Sequence, residues 1–380
     1  MAWKKMKSMV TPGDYYFSGD EAIAEGAIAA RCNYYAGYPI TPTTETLERI
    51  SVRFKEVEAV FMQMEDEIAS IASCIGASWA GAKAMTVTSG PGFSLMQEGI
   101  GHAIMTETPV VIVNAQRAGP STGQATRVGG GDIMQARWGT HGGIPTITLS
   151  PWSVQELYEQ TIKAFNLAER YRVPVLLMAE EATAHLRERM NIAEEVELFE
   201  REKKPGAAPF GTKEDDGVPP MPAFGEGEKL LVTASTHDAY GIRKTADSAT
   251  EGKLTARLYN KIMNHREEII EYEDYYLDNA AIAVICYGVT ARSSLFAVER
   301  LREEGKRVGM LRLKTVWPFA DRMAREISSK VKKIFIPEMN MGQVVGEIMK
   351  YATCDVIPYN QMNGEVIYPD TIMEQLRRLL

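Results

Sequence analysis

The sequence predicts an α/β protein built on two parallel sheets. Three observations carry that expectation. The 380 residues suffice for two sizeable cores, and 45% hydrophobic with 24% charged residues is an ordinary balance for a globular chain. From residue 281 onward short apolar runs alternate with amphipathic stretches, the pattern of parallel strands joined by right-handed helical crossovers. Between Phe61 and Thr122 the same alternation frames an acid, a glycine turn and a cation near one sheet edge, where open α/β folds place their ligands.

Taken in order, Ser18-Gly19-Asp20-Glu21 followed by AIAEGAIAA predicts a helix with an acid-rich start and an alanine-rich body that lies close against a sheet. Asn33 to Ala36 follows as a short strand. In the loop from Gly37 to Thr43 two prolines bracket Thr41, and each pushes the residue before it into extended geometry. Thr41 is thereby held on a stiff loop with its hydroxyl open to a ligand. Its plainer alternative is a cap for the helix Thr44 to Lys55, a job that Thr43 or Thr44 can also fill.

The stretch FMQMEDEIASIASCIGASWAG reads as a helix on which Met64, Ile68, Ile71 and Ile75 share one face, Asp66 points away, and Glu67 falls at the margin beside Cys74. A carboxylate there is partly desolvated, which raises its pKa and readies it to share a proton. Small residues around it, from Ala69 to Ala77, leave room for another body. Met85 to Thr88 then reads as a buried strand, Ser89-Gly90-Pro91-Gly92 as a tight turn opening a helix, and Val110 to Asn114 as a strand delivering Arg117 at its C-terminal end. Each piece alone has a plain reading. An acid at a helix margin is more often an ion-paired surface group, the Gly-Pro-Gly turn lacks a P-loop or dinucleotide fingerprint, and an Arg after a strand is often a surface ion pair. Their succession in one unit is what marks a site.

The glycine-rich run GPSTGQATRVGGGDIMQARWGTHGG is expected to be an irregular functional loop. Its Gly130-Gly131-Asp132 is a faint likeness of a magnesium-diphosphate motif whose downstream Asn is missing. Trp152 to Tyr171 predicts a long amphipathic helix and Val173 to Met178 a buried strand, closing a first domain over 1–198. Residues 199–280 read as a linker or extended arm. Five prolines fall between Phe199 and Glu228, LLVTASTHD is a possible strand, and Leu254, Leu258 and Ile262 recur at helical spacing within Lys253 to Tyr276. His237-Asp238 reads as a turn or interface pair, with no nucleophile nearby. Residues 281–380 form the second domain, which holds no acid-base-nucleophile set and serves as scaffold, subunit contact or pocket wall.

A net charge of -8 argues against nucleic acid or an anionic membrane as partner. No apolar run has the length of a membrane span, and MAWKKMKSM lacks the apolar core of a signal peptide, so a cytoplasmic protein is expected. Cys32, Cys74, Cys286 and Cys354 form no CxxC pair and the five histidines form no close pair, so neither a metal nor a cluster is expected on this chain.

The segments GDEAIAEGAIAA, AGYPITPTTE, FMQMEDEIASIASCIGASWAG, TVTSGPGFSLMQE, NAQRAGPSTGQ, RWGTHG and KAFNLAERYRVPV resemble the alpha subunit of the 2-oxoacid:ferredoxin oxidoreductases, nearest to the 2-oxoglutarate branch. The resemblance runs nearly end to end. It implies a thiamine-diphosphate pyrimidine-binding domain followed by a transketolase C-terminal-like domain. Glu67 then matches the acid that hydrogen-bonds the pyrimidine ring nitrogen, where sharing a proton favours the tautomer that activates the cofactor. Ser89, Gly90 and Gly92 match the turn beside that cofactor. Thr41 in YPITPT and Arg117 in NAQR match positions that contact the 2-oxoacid, the Arg by pairing with its carboxylate. Arg127 stands where a lysine is expected. It either holds the distal carboxylate of 2-oxoglutarate or is a solvated loop residue, in which case pyruvate or a branched-chain 2-oxoacid fits better. The resemblance further implies a beta subunit with the diphosphate and magnesium site and an iron-sulfur cluster, gamma and ferredoxin-like delta subunits, ferredoxin and coenzyme A. The implied reaction is reversible oxidation of 2-oxoglutarate to succinyl-CoA and carbon dioxide. The competing readings are a non-oxidative thiamine-dependent enzyme and a non-catalytic assembly subunit in which Glu67 is structural.

Overall fold

In the computed structural model, which describes residues 3–380, the first helix, Gly19–Ala29, begins at Ser18. The Glu21 N–H donates to the Ser18 hydroxyl at 3.2 Å, and the Ser18 N–H donates to the Glu21 carboxylate at 2.8 Å, a reciprocal capping box. A Cβ at Gly26 would stand 2.7 Å from the Tyr158 carbonyl oxygen, so the helix backbone sits directly against the helix Val154–Tyr171. The expected helix is present, but it is buried almost all round between other helices and does not simply lie on a sheet.

The main sheet has eight strands. Across it run Thr315–Trp317, Ile147–Leu149, Pro174–Glu180, Val110–Ala118, Ala84–Thr88, Tyr34–Gly37 and Val60–Gln63, with Gln124–Val128 paired to Val110–Ala118. Neighbours are parallel except at Thr315–Trp317 and Gln124–Val128. Tyr34–Gly37 is followed in the chain by a strand on one side of it and then by Ala84–Thr88 on the other, so the strand order reverses there. A reversal of this kind opens a crevice at the carboxyl ends of the strands. Those ends lead into Thr41, Glu67 and Ser89-Gly90-Pro91-Gly92.

The glycine-rich run departs from its expected irregularity, since it contains the strand Gln124–Val128 and the helix Ile133–Trp138. Backbone pairing of Val128 with Arg117 holds the strand, a cause that side-chain periodicity does not signal. The strand Val110–Ala118 is likewise longer than its apolar stretch. Its polar residues stay inside because each makes a hydrogen bond there: Asn114 donates to Asp132 at 2.9 Å, Gln116 to the Ala179 carbonyl at 3.3 Å and Arg117 to the Thr41 carbonyl at 2.7 Å, while Asn114 Oδ1 and Arg117 Nε have no partner among the described residues.

The second sheet orders Tyr272–Tyr275, Val308–Leu313, Ile282–Cys286, Lys333–Glu338 and Asp355–Asn360, parallel except for its first strand. The expected helix over Lys253 to Tyr276 is instead a helix Ser248–Met263, a short turn of helix and that edge strand. The possible strand in LLVTASTHD is not formed. His237 makes one bridge to Arg243, and the Asp238 carboxylate accepts from the Tyr240 and Ile242 N–H groups at 2.9 and 3.1 Å, which folds the segment into a turn. Two antiparallel pairs had no clear sequence signal: Trp3–Lys7 with Glu195–Phe199, and Gly13–Ser18 with Arg187–Ile192. Among the described residues no helix is long and apolar enough to cross a membrane, and all four cysteines are free.

Glu180, at the end of its strand, is enclosed where the two sheets meet. Burial pushes its carboxyl up to about 8, and its Oε2 accepts from the Val289 N–H at 2.9 Å. A raised acid contributes its stability fully below the ordinary value of 4.5 and loses it as pH rises towards about 8. Thermal melts across that window are expected to show the parent losing stability relative to Glu180→Gln as pH rises. Parallel curves would mean that Glu180 does not titrate there.

Candidate active site

Asp66 caps the helix Glu67–Trp79, its carboxylate accepting from the Ala69 N–H at 2.7 Å, so Glu67 is the first helical residue. That start shifts the phase of the helix from the expected one. Met64 lies before it and Ile68 is 54% exposed, while Glu67, Ile71, Cys74 and Ser78 point inward. Glu67 is 4% exposed, deeper than a margin position, and burial raises its pKa. Among the described residues its side-chain hydrogen-bond partner is Thr88, whose hydroxyl donates at 3.4 Å. A buried carboxylate with one long neutral hydrogen bond retains acceptor capacity for a donor from outside the chain.

Gly92 makes room for it. A Cβ there would stand 2.1 Å from Glu67 Oε1 and 2.2 Å from the Thr88 hydroxyl. Gly92→Ala is therefore expected either to push the carboxylate aside, with loss of turnover, or to cost roughly 1–3 kcal/mol of overpacking. At Gly90 a Cβ meets Asp132 at an ordinary 3.4 Å, which makes Gly90→Ala the matched control for the melting temperature. Equal stability and turnover in Gly92→Ala and the parent would show that the carboxylate has space to spare.

Ser89 is fully buried and its hydroxyl donates to the Ala115 carbonyl at 2.8 Å, so the side chain fastens the turn to the neighbouring strand. Gly90 and Pro91 line a cavity of about 440 Å3 that also includes Arg117, Asp132, Asn340 and Gln343. The C-terminal unit thus supplies one wall of the cavity. Arg117 is 7% exposed and braces the loop that carries Thr41. Burial lowers its pKa, while Asp132 and Glu67 oppose the shift, so its cation sits between two acids. Asp132, given little weight in the sequence, is held by Asn114 and by its own N–H donating to Gln116 at 3.2 Å, and burial raises its pKa. The run GGGD was the signal for it. Arg127 is exposed on Gln124–Val128 and is not itself among the cavity-lining residues, but its side chain packs beside Gly364, which is one of them. Thr41 is half-buried and likewise outside that lining.

An acid, an arginine and a collar of small residues at the strand-order reversal are now joined by direct comparison. Residues 25–257 match the family described as pyruvate flavodoxin/ferredoxin oxidoreductase, thiamine diphosphate-binding, and residues 280–372 match pyruvate:ferredoxin oxidoreductase core domain II. The chain belongs to the pyruvate flavodoxin/ferredoxin oxidoreductase family. It is 47% identical over 94% of its length to the 2-oxoglutarate synthase subunit KorA of Methanocaldococcus jannaschii, covering 97% of that protein. To the Methanothermobacter thermautotrophicus subunit of the same name it is 44% identical over 96%, covering 99%. The ketoisovalerate oxidoreductase subunit VorB of that organism is 34% identical over 95%, with 96% of it covered. Among solved structures, the 2-oxoglutarate:ferredoxin oxidoreductase from Magnetococcus marinus with 2-oxoglutarate, coenzyme A and succinyl-CoA bound matches 96% of this chain with a TM-score of 0.90 and 30% identity, and the chain spans 65% of that longer one. A split-gene transketolase, 11% identical with a TM-score of 0.56, shares the fold alone. The family's pyrimidine-binding and domain II architecture therefore accounts for both sheets, with antiparallel strands at their edges.

Proposed function

We propose that this chain is the alpha-type subunit of a 2-oxoglutarate:ferredoxin oxidoreductase and that Glu67, Thr41 and Arg117 are its working residues. The observation that carries the reading is the enclosed Glu67 carboxylate, walled by Gly92 at the strand-order reversal and short of hydrogen-bond donors. That environment fits the nitrogen heterocycle of thiamine diphosphate, a ring that can take or give a proton where the protein's own donors stop. When bound, the cofactor supplies the carbon nucleophile and electron sink needed to remove carbon dioxide from a 2-oxoacid. Glu67 would hold the proton at the ring nitrogen, Gly90 and Gly92 would leave space beside it, and Arg117 would pair with the substrate carboxylate while fixing the Thr41 loop.

The chain has no CxxC pair and no complete diphosphate motif, so the reading assigns magnesium, the diphosphate and the iron-sulfur cluster to a beta subunit, with gamma and ferredoxin-like delta subunits completing a cytoplasmic assembly. Val60, Met62 and Ile68, exposed at the sheet edge and on the Glu67 helix, suit coverage by such a partner. The identities of 44–47% to 2-oxoglutarate synthase subunits favour 2-oxoglutarate. The exposure of Arg127, which is not among the residues lining the cavity, favours a second reading, in which a branched-chain 2-oxoacid or pyruvate is the substrate.

The test is anaerobic reduction of a low-potential dye by the complex purified from its native source, with 2-oxoglutarate, pyruvate or 2-oxoisovalerate, each with and without coenzyme A. A rate dependent on 2-oxoglutarate and coenzyme A is expected. Preference for another 2-oxoacid would retain the chemistry and replace the substrate, and a colourless, inactive chain without partners would overturn both.

A further inference from the structure

One residue on from the Thr41 carbonyl that Arg117 holds, the loop touches a cluster that the proposed activity does not use. His185, at the end of the short helix Glu181–His185, places Nδ1 3.2 Å from Glu181 Oε1. Its other ring nitrogen, Nε2, faces three oxygens from three separate elements: the Pro42 carbonyl at 3.2 Å, Asp20 Oδ2 at 3.9 Å and Glu45 Oε2 at 3.9 Å. Asp20 is fully buried at the start of its helix. Thr46 donates to its Oδ1, but Oδ2, aimed into the cluster, has no hydrogen-bond partner among the described residues. One carboxylate orients the imidazole from behind, as a carboxylate behind a metal-binding histidine commonly does. In front of it Nε2 and three oxygens converge, and in the free chain the Nε2 proton, donated to the Pro42 carbonyl, is the hydrogen they share among the described residues.

A proton on Nε2 can point at only one of these oxygens. A divalent cation satisfies all of them together. We propose that Asp20, Glu45, His185 and the Pro42 carbonyl form a binding site for a divalent transition-metal ion such as Zn2+, with Glu181 positioning the imidazole. At ion-to-ligand distances of about 2.0–2.2 Å a tetrahedral ion sets its donors about 3.4 Å apart, so binding must shorten both 3.9 Å separations by about half an ångström. The three side-chain donors all lie within 4.8 Å of one another, and the exposed Glu45 and partly exposed His185 are the side chains that would move to shorten those separations around the buried Asp20. The imidazole selects a transition ion over Mg2+ or Ca2+, which favour oxygen alone. Glu45 and His185 are 57% and 37% exposed, so the site opens to solvent.

An ion held on the Pro42 carbonyl would brace the Thr41 loop beside the carbonyl that Arg117 holds. That consequence rests on the proposed activity, whereas the site itself does not, so its test reads binding. The untagged full-length chain, stripped with chelator, is titrated with Co2+ while the visible ligand-field absorption is followed. Circular dichroism checks that each variant is folded. One saturable Co2+ per chain, displaced by Zn2+, is expected. Glu181→Gln should weaken binding about 10–100-fold, and Glu45→Gln, at an exposed position, by at least tenfold. His185→Gln should abolish it. Absence of stoichiometric binding, or equal binding in the parent, Glu45→Gln and His185→Gln, would overturn the proposal and leave His185 as a protonated member of an ion cluster.

Discussion

Glu67→Gln is expected to lower turnover of the assembled enzyme by roughly 10²–10⁴-fold, the usual worth of a positioned proton-transfer group, while leaving assembly intact. Glutamine matches glutamate in size, so the space set by Gly92 and the bond from Thr88 can both persist. What it loses is a group that exchanges a proton. The enclosure of Glu67 sharpens this difference, because burial raises the pKa of the carboxyl and so favours its neutral form more than at an exposed acid. An amide has only one state. The rate should be measured as anaerobic dye reduction at saturating thiamine diphosphate and 2-oxoacid, with subunit composition checked by size-exclusion chromatography. If the variant assembles and turns over within a few-fold of the parent, Glu67 is structural and the assignment of the cofactor's activating acid to this chain fails. If it fails to assemble, Gly92→Ala supplies an independent approach to the same carboxylate.

How much of this could be read from residues alone differs between the sheets and the site. The alternation from residue 281 onward is carried by apolar strands and amphipathic helices, whose periods are local, and the structure forms the parallel strands Ile282–Cys286, Val308–Leu313, Lys333–Glu338 and Asp355–Asn360 in it. The antiparallel pairs near the N-terminus escaped because Trp3–Lys7 finds its partner some 190 residues away, at Glu195–Phe199. No local pattern records such a pairing. Glu67 was visible as an acid among apolar and small residues, but its orientation was misjudged because the Asp66 cap, rather than hydrophobic spacing, sets where the helix begins. Asp132 was legible only as part of GGGD. Its meaning depends on Asn114 and Arg117, on a strand that reaches it through tertiary contact.

The arm beyond residue 199 shows the same dependence on distant partners, and its strongest anchor yields the largest expected stability effect. Residues 200–247 contain no helix or strand element, yet they follow a fixed path. Arg172 donates to the carbonyls of Pro209, Pro219 and Pro220 at 2.7, 3.1 and 2.9 Å, and to that of Glu107 at 3.1 Å. The Glu107 carboxylate, fully buried, takes Arg257 at 2.6 Å and Lys261 at 2.7 Å from the helix that follows the arm. Burial opposes its charge, but Lys261 and Arg257 outweigh burial and hold Glu107 well below the usual carboxylate range. A depressed acid gives stability that is present above the ordinary value of 4.5 and lost as pH falls below it. Glu107→Gln keeps the shape and removes the anion, leaving buried Lys261, buried Arg172 and partly exposed Arg257 without that counter-charge. Breaking a buried ion pair in this way costs about 3–5 kcal/mol. The expected result is a lower melting temperature, with proteolysis appearing first between residues 203 and 230 while the Glu67 site keeps its activity in the folded fraction. Lys261→Met should cost less, because Glu107 retains Arg257. A loss below about 1 kcal/mol for Glu107→Gln would mean that the proline carbonyls on Arg172, rather than the charge cluster, hold the arm in place.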